Sequence, residues 1–96
     1  MPRYIILVSW TDQGIRNVKE TAKRAEAARK MAEKLGGKLE LYYTLGEYDL
    51  VGVAEAPSDE AEMQFLLQLS TLGNVRTKTL KAWTESEAAK IIAKLP

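Results

Sequence analysis

The alternation of apolar and polar positions changes period several times along the chain, and each change marks an element. Arg3 to Trp10 is rich in β-branched and aromatic residues and predicts a strand. Thr11 and Asp12 are capping residues, and Gly14 marks a change of direction. From there the apolar positions fall at Ile15, Val18, Ala22, Ala25, Ala32 and Leu35. That spacing predicts one helix over residues 15–35, with Thr21 as a local irregularity. Gly36-Gly37 stops it. Leu39, Leu41, Tyr43 and Leu45 alternate with Lys38, Glu40, Tyr42 and Thr44, the pattern of a half-buried strand. Gly46-Glu47 predicts a two-residue turn, and Tyr48 to Ala56 returns as the next strand, ended by Pro57. Asp59, with Glu62 as its capping-box partner, opens a second helix. Phe65, Leu66, Leu69 and Leu72 form its apolar face, and Gly73 closes it. Asn74 to Trp83 reads as a fourth strand. Thr84 and Glu87 make another capping box for a terminal helix carrying Ala88, Ile91, Ile92 and Leu95.

The order βαββαβ, with right-handed crossovers, specifies an α+β ferredoxin-like domain spanning residues 1–96. It is a four-stranded antiparallel sheet with the first and third strands central, both long helices on one face, and a C-terminal helix added. The open face of such a sheet should be polar. Here Tyr4, Ile6, Val8 and Trp10 share one side of the first strand, yet Ile5 and Leu7 share the other. In the third strand Leu50 and Ala54 face one way and Val51 and Val53 the other. The outer strands keep charge on their flanks, at Lys38, Glu40, Arg76 and Lys78. An apolar centre with polar edges is the composition of an interface. Each such side chain left in water forgoes roughly 1.5–3 kcal/mol. The expectation is therefore a homodimer, or a higher homo-oligomer, packed sheet to sheet as a dimeric α+β barrel. The competing reading folds the terminal helix over the open face of a monomer.

Composition narrows the chemistry. With 96 residues the chain has one small core, burying on the order of 10,000 Å². It has no cysteine and no histidine. That removes disulfides, thiol catalysis, the usual near-neutral base and the commonest zinc ligands. No metal and no cofactor is expected. A net charge of +1 gives no reason to expect nucleic acid, and no apolar run is long enough for a membrane span or a secretory signal. A cytoplasmic protein is expected. The balance conceals two patches: residues 15–35 carry +4 and residues 38–62 carry −6.

Leu45-Gly46-Glu47-Tyr48-Asp49 resembles the signature of the GYD domain family of small bacterial and archaeal proteins. Thr11-Asp12-Gln13-Gly14, Arg24, Gly36-Gly37, Pro57-Ser58-Asp59-Glu60 and Gly73-Asn74-Val75-Arg76-Thr77 follow in the family's order, so the resemblance spans roughly residues 2–92. It implies a ferredoxin-like subunit of the dimeric α+β barrel group and no established activity.

The candidate ligand-binding residues are Trp10, Gln13, Gly14, Arg24, Tyr43, Tyr48, Asp49, Arg76 and Thr77. Asp49 can bind a cation, pair with Arg24 or Arg76, act as a base, or simply satisfy backbone N–H groups of a turn. Arg24 can hold a carboxylate or phosphate, or reach to solvent. Gln13-Gly14 precedes a helix and can favour an anion, or be a structural loop. Trp10, Tyr43 and Tyr48, with Phe65, can line an apolar pocket or be plain core. Thr77 is a pocket hydroxyl or an ordinary strand residue. The expected function is a small-molecule binding or sensing module. A cofactor-independent enzyme of the small monooxygenase or isomerase kind, resting on fold analogy, and a structural oligomer are the alternatives.

Overall fold

Arg3–Trp10 forms β1 and lies at the centre of the sheet, as its apolar residues on both faces require. The computed structural model describes all 96 residues. After β1 come a short helix α1 (Asp12–Arg16), a 3₁₀ turn (Val18–Glu20) and α2 (Thr21–Lys34). Then follow β2 (Lys38–Tyr43), β3 (Leu50–Glu55), α3 (Asp59–Thr71), β4 (Val75–Ala82) and α4 (Glu85–Ile92). The strand order is β2-β3-β1-β4, every pair antiparallel, with Ile6 opposite Gly52 on one side and Thr79 on the other. This is the ferredoxin-like α+β arrangement. Tyr4, Ile6 and Val8 of β1, Leu50 and Ala54 of β3, Ala28 and Ala32 of α2 and Phe65 of α3 are the buried core between sheet and helices.

Four local expectations are corrected. The helix over residues 15–35 is broken. Thr11 caps α1 by accepting the Gly14 N–H at 3.0 Å, and Asn17, at φ −110°, ends it by donating its side-chain amide to the Gln13 carbonyl. A short polar side chain that bonds back to the main chain competes with helix propagation. Ile15 is therefore solvent-facing, the half-buried side starts at Val18 and Thr21, and the buried residues of α2 are Ala28 and Ala32. Gly14 lies inside α1 because the helix presses on the chain entering β4: a Cβ there would stand 2.0 Å from the Asn74 carbonyl oxygen.

The hairpin turn spans residues 44–49 rather than two residues. Thr44 closes it, its N–H bonding the Asp49 carbonyl at 3.0 Å and its hydroxyl the Tyr48 carbonyl at 2.7 Å. Leu45 consequently lies beyond β2 and is fully exposed. The cap of α3 is Ser58, which accepts the Ala61 N–H, so Glu62 closes no capping box. The Thr84–Glu87 box of α4 is present in both directions.

The open face carries Ile5, Leu7, Val51 and Val53, each half-buried, and Leu80, 55% exposed. The terminal helix does not cover it. No residue of α4 is buried, and Ile91, Ile92 and Leu95 stand in solvent. The radius of gyration is 14.7 Å, against about 12.5 Å for a compact chain of 96 residues. The accessible surface, 6683 Å², exceeds by about 1,200 Å² the roughly 5,500 Å² of a compact monomer of this mass. No helix is long and apolar enough to cross a membrane.

Candidate functional site

Five of the nine candidate residues line two cavities, Trp10 and Arg24 the first, and Tyr48, Arg76 and Thr77 the second. The first lies between the sheet and α2 and α3 and measures about 120 Å³. Its walls are apolar side chains, among them Trp10, Met31, Leu41 and Phe65. Arg24, Thr21 and Asn74 are the polar residues at its lining. A cavity this apolar selects by shape and by the few polar groups at its edge.

Arg24 is placed by the broken helix. Its Nη2 donates to the Gly14 carbonyl at 3.1 Å, fastening α2 to α1. Four ion pairs occur in the protein, Arg3–Glu55, Lys23–Glu20, Arg29–Glu26 and Lys81–Asp59, and none engages Arg24. Tyr43 sits outside the cavity, its hydroxyl 3.1 Å from that of Thr21, so it ties β2 to the start of α2 beside the opening.

Asp49 joins the two central strands. Its N–H donates to the Val8 carbonyl at 2.9 Å, and its carboxylate accepts the Trp10 N–H at 2.9 Å. It pairs with neither Arg24 nor Arg76. Gln13 and Gly14 brace the loop before β4: the Gln13 amide donates to the Leu72 carbonyl at 3.1 Å and to the Asn74 side chain at 3.0 Å. The Gly14 N–H is already used by Thr11. The second cavity, a polar cleft of about 580 Å³, receives Tyr48, Arg76 and Thr77 together with Glu47 and Lys78. Val75 lines both cavities and separates them.

A third depression, about 320 Å³, lies between α3 and β4. The Tyr4 hydroxyl donates to Asp59 at 2.5 Å, and Lys81 bonds the same carboxylate at 3.0 Å. Burial, then the Asp59 bond, raises the tyrosine pKa, while the bonds from Tyr4 and Lys81 lower that of Asp59. Glu62 is only 4% exposed, its Oε2 has no hydrogen-bond partner, and burial pushes its carboxyl up to about 7. Sequence reasoning passed over Glu62 by assigning it to a cap. The signal was available: Glu62, Phe65, Leu66 and Leu69 share helical spacing, which places a carboxylate on the apolar stripe.

The model of the GYD domain matches residues 4–92. The chain belongs to the GYD domain family. A Thermus thermophilus relative, named as a glutamine synthetase and cystathionine beta-lyase binding protein, is 32% identical over 97 residues, 99% of each chain. Among solved structures, a feast or famine regulatory protein from M. tuberculosis, complexed with L-methionine, superposes with a TM-score of 0.66 at 19% identity. That match covers 88% of this GYD chain and 51% of the other. A crystal structure of a T. thermophilus protein gives 0.58 at 24% identity, over 88% and 95% of the two chains. These likenesses show the fold.

Proposed function

We propose that this GYD protein is a homodimeric small-molecule binding module whose ligand enters the apolar cavity between the sheet and α2 and α3. The observation that carries this reading is the cavity itself, an apolar chamber of about 120 Å³ whose polar lining is confined to a few groups including an unpaired arginine. The dimer rests on the open sheet face. The excess surface of about 1,200 Å² is enough for one side of a standard interface, about 800 Å² per partner. Two copies related by a two-fold axis cover Ile5, Leu7, Val51, Val53 and Leu80 together, and α4 supplies further apolar surface at Ile91 and Ile92. Native mass spectrometry tests both parts in one measurement. The expected result is a dimer retaining a small molecule, or taking one up from a mixture of apolar metabolites. A monomer at tens of micromolar would overturn the dimer, and failure of every apolar compound to bind would overturn the pocket.

The name of the T. thermophilus relative favours a second role for the same dimer, as a partner of a metabolic enzyme. Co-elution of the purified protein with glutamine synthetase or cystathionine beta-lyase on a sizing column checks it. Separate elution of both enzymes at micromolar concentrations counts against it.

A further inference from the structure

The apolar cavity carries one charged residue, and that residue has no carboxylate to pair with. The Arg24 guanidinium presents five N–H donors, of which one is bound, to the Gly14 carbonyl. It is half-buried at the cavity lining, where the field of a cation is less screened than in open water. The surrounding helical segment adds to that field, since residues 15–35 carry a net +4. A neutral apolar ligand would leave the guanidinium donors to water alone. A phosphate would bring two charges and a large hydration shell to a chamber whose other walls are hydrocarbon. A carboxylate on a hydrocarbon body suits both parts, since the planar fork of arginine matches two carboxylate oxygens.

We infer that the cavity takes a small apolar monoanion, a carboxylate carried on a compact aromatic or branched aliphatic body, with Arg24 as its anchor. This inference rests on the proposed binding function and gives it a ligand class. Size agrees: an apolar cavity of roughly 150 Å³ accepts a benzene ring, and the present one is of that order. The carboxylate stays at the Arg24 edge, and the hydrocarbon body goes in toward Trp10 and Phe65. Thr21 supplies a hydroxyl beside the anchor, held by Tyr43.

Three probes separate the parts. Benzoate, its neutral isostere benzamide, and toluene are titrated into the full-length protein, and amide chemical shifts are followed by NMR. Benzoate is expected to bind about ten- to a hundredfold more tightly than benzamide, the range of one charge-assisted contact. Raising KCl from low to high concentration weakens benzoate but not toluene. In Arg24→Met the benzoate preference disappears while toluene still binds. Arg24→Lys keeps the charge without the fork and retains part of the preference. Equal binding of benzoate and benzamide by the unmodified protein overturns the anion inference, as does a preference that survives in Arg24→Met. Toluene binding with no benzoate preference leaves the pocket standing and removes only its ligand class. Failure of all three probes removes the binding reading as well.

Discussion

Replacing Glu62 by glutamine should make the protein more stable above neutral pH and alter the pH dependence of its folding. Glu62 is 4% exposed, and its Oε2 has no hydrogen-bond partner. Burial raises its pKa from 4.5 to about 7. The folded state therefore holds a proton that the unfolded chain releases. Its contribution is complete below pH 4.5, declines as pH rises toward about 7, and is lost above that value. At about 1.4 kcal/mol per pH unit the full shift is worth at most about 3.5 kcal/mol. Neighbouring side chains relax around the charged form, which brings the expected figure to about 2 kcal/mol. Glutamine keeps the volume and is neutral throughout. Urea unfolding of both proteins at fixed protein concentration, from pH 4.5 to 8.5, measures the difference. The variant should gain about 2 kcal/mol on the parent across that range, roughly 10 °C in Tm for a domain this small. Parallel pH profiles, or a variant less stable than the parent at pH 8, would refute the argument and mean that the carboxylate is solvated or paired.

Other substitutions probe the two sheet faces, the contact of α1 with the chain entering β4, and the Asp49–Trp10 bond. Ile6→Asp puts a charge in the core, where Ile6 is 2% exposed, and should abolish folding by circular dichroism, whereas Ile5→Asp should leave a folded monomer by light scattering. If both variants remain dimeric and stable, the assignment of faces is wrong. Gly14→Ala sets a methyl 2.0 Å from the Asn74 carbonyl oxygen, and pushing α1 off β4 should cost about 3 kcal/mol in chemical denaturation; a change under about 0.5 kcal/mol would contradict the close approach. Asp49→Asn retains an oxygen that can accept the Trp10 N–H, so it should cost less than about 1 kcal/mol, while Asp49→Ala strands that N–H and should cost about 2 kcal/mol. Equal losses in the two variants would show that the negative charge matters rather than the bond.

The strands were legible because their composition and their alternation agree. Both apolar faces of β1 could be counted from Tyr4 to Trp10 with no knowledge of its neighbours, while the order of elements with right-handed crossovers placed β1 and β3 at the centre. The caps were legible where one side chain decides them, as at Thr84, and misread where two candidates compete, as at Ser58 and Asp59. The broken helix at Asn17 escaped the periodicity because Ile15 and Val18 keep helical spacing across the break. The partners of the candidate residues were not readable. Asp49 bonds Trp10, 39 positions away, and Gln13 bonds Asn74, 61 positions away. Such pairings are set by strand register, which hydrophobic pattern restricts only to alternate positions.

What the sequence determined by itself is the order of elements, the sheet with two apolar faces and the exclusion of thiol and imidazole chemistry, since each follows from local period or from residue counts. Only the tertiary structure decided that α4 leaves the sheet uncovered, that Arg24 stands unpaired at an apolar cavity and that Glu62 is buried without a partner. Those outcomes depend on the distance between segments remote in the chain, and neither composition nor periodicity encodes a distance.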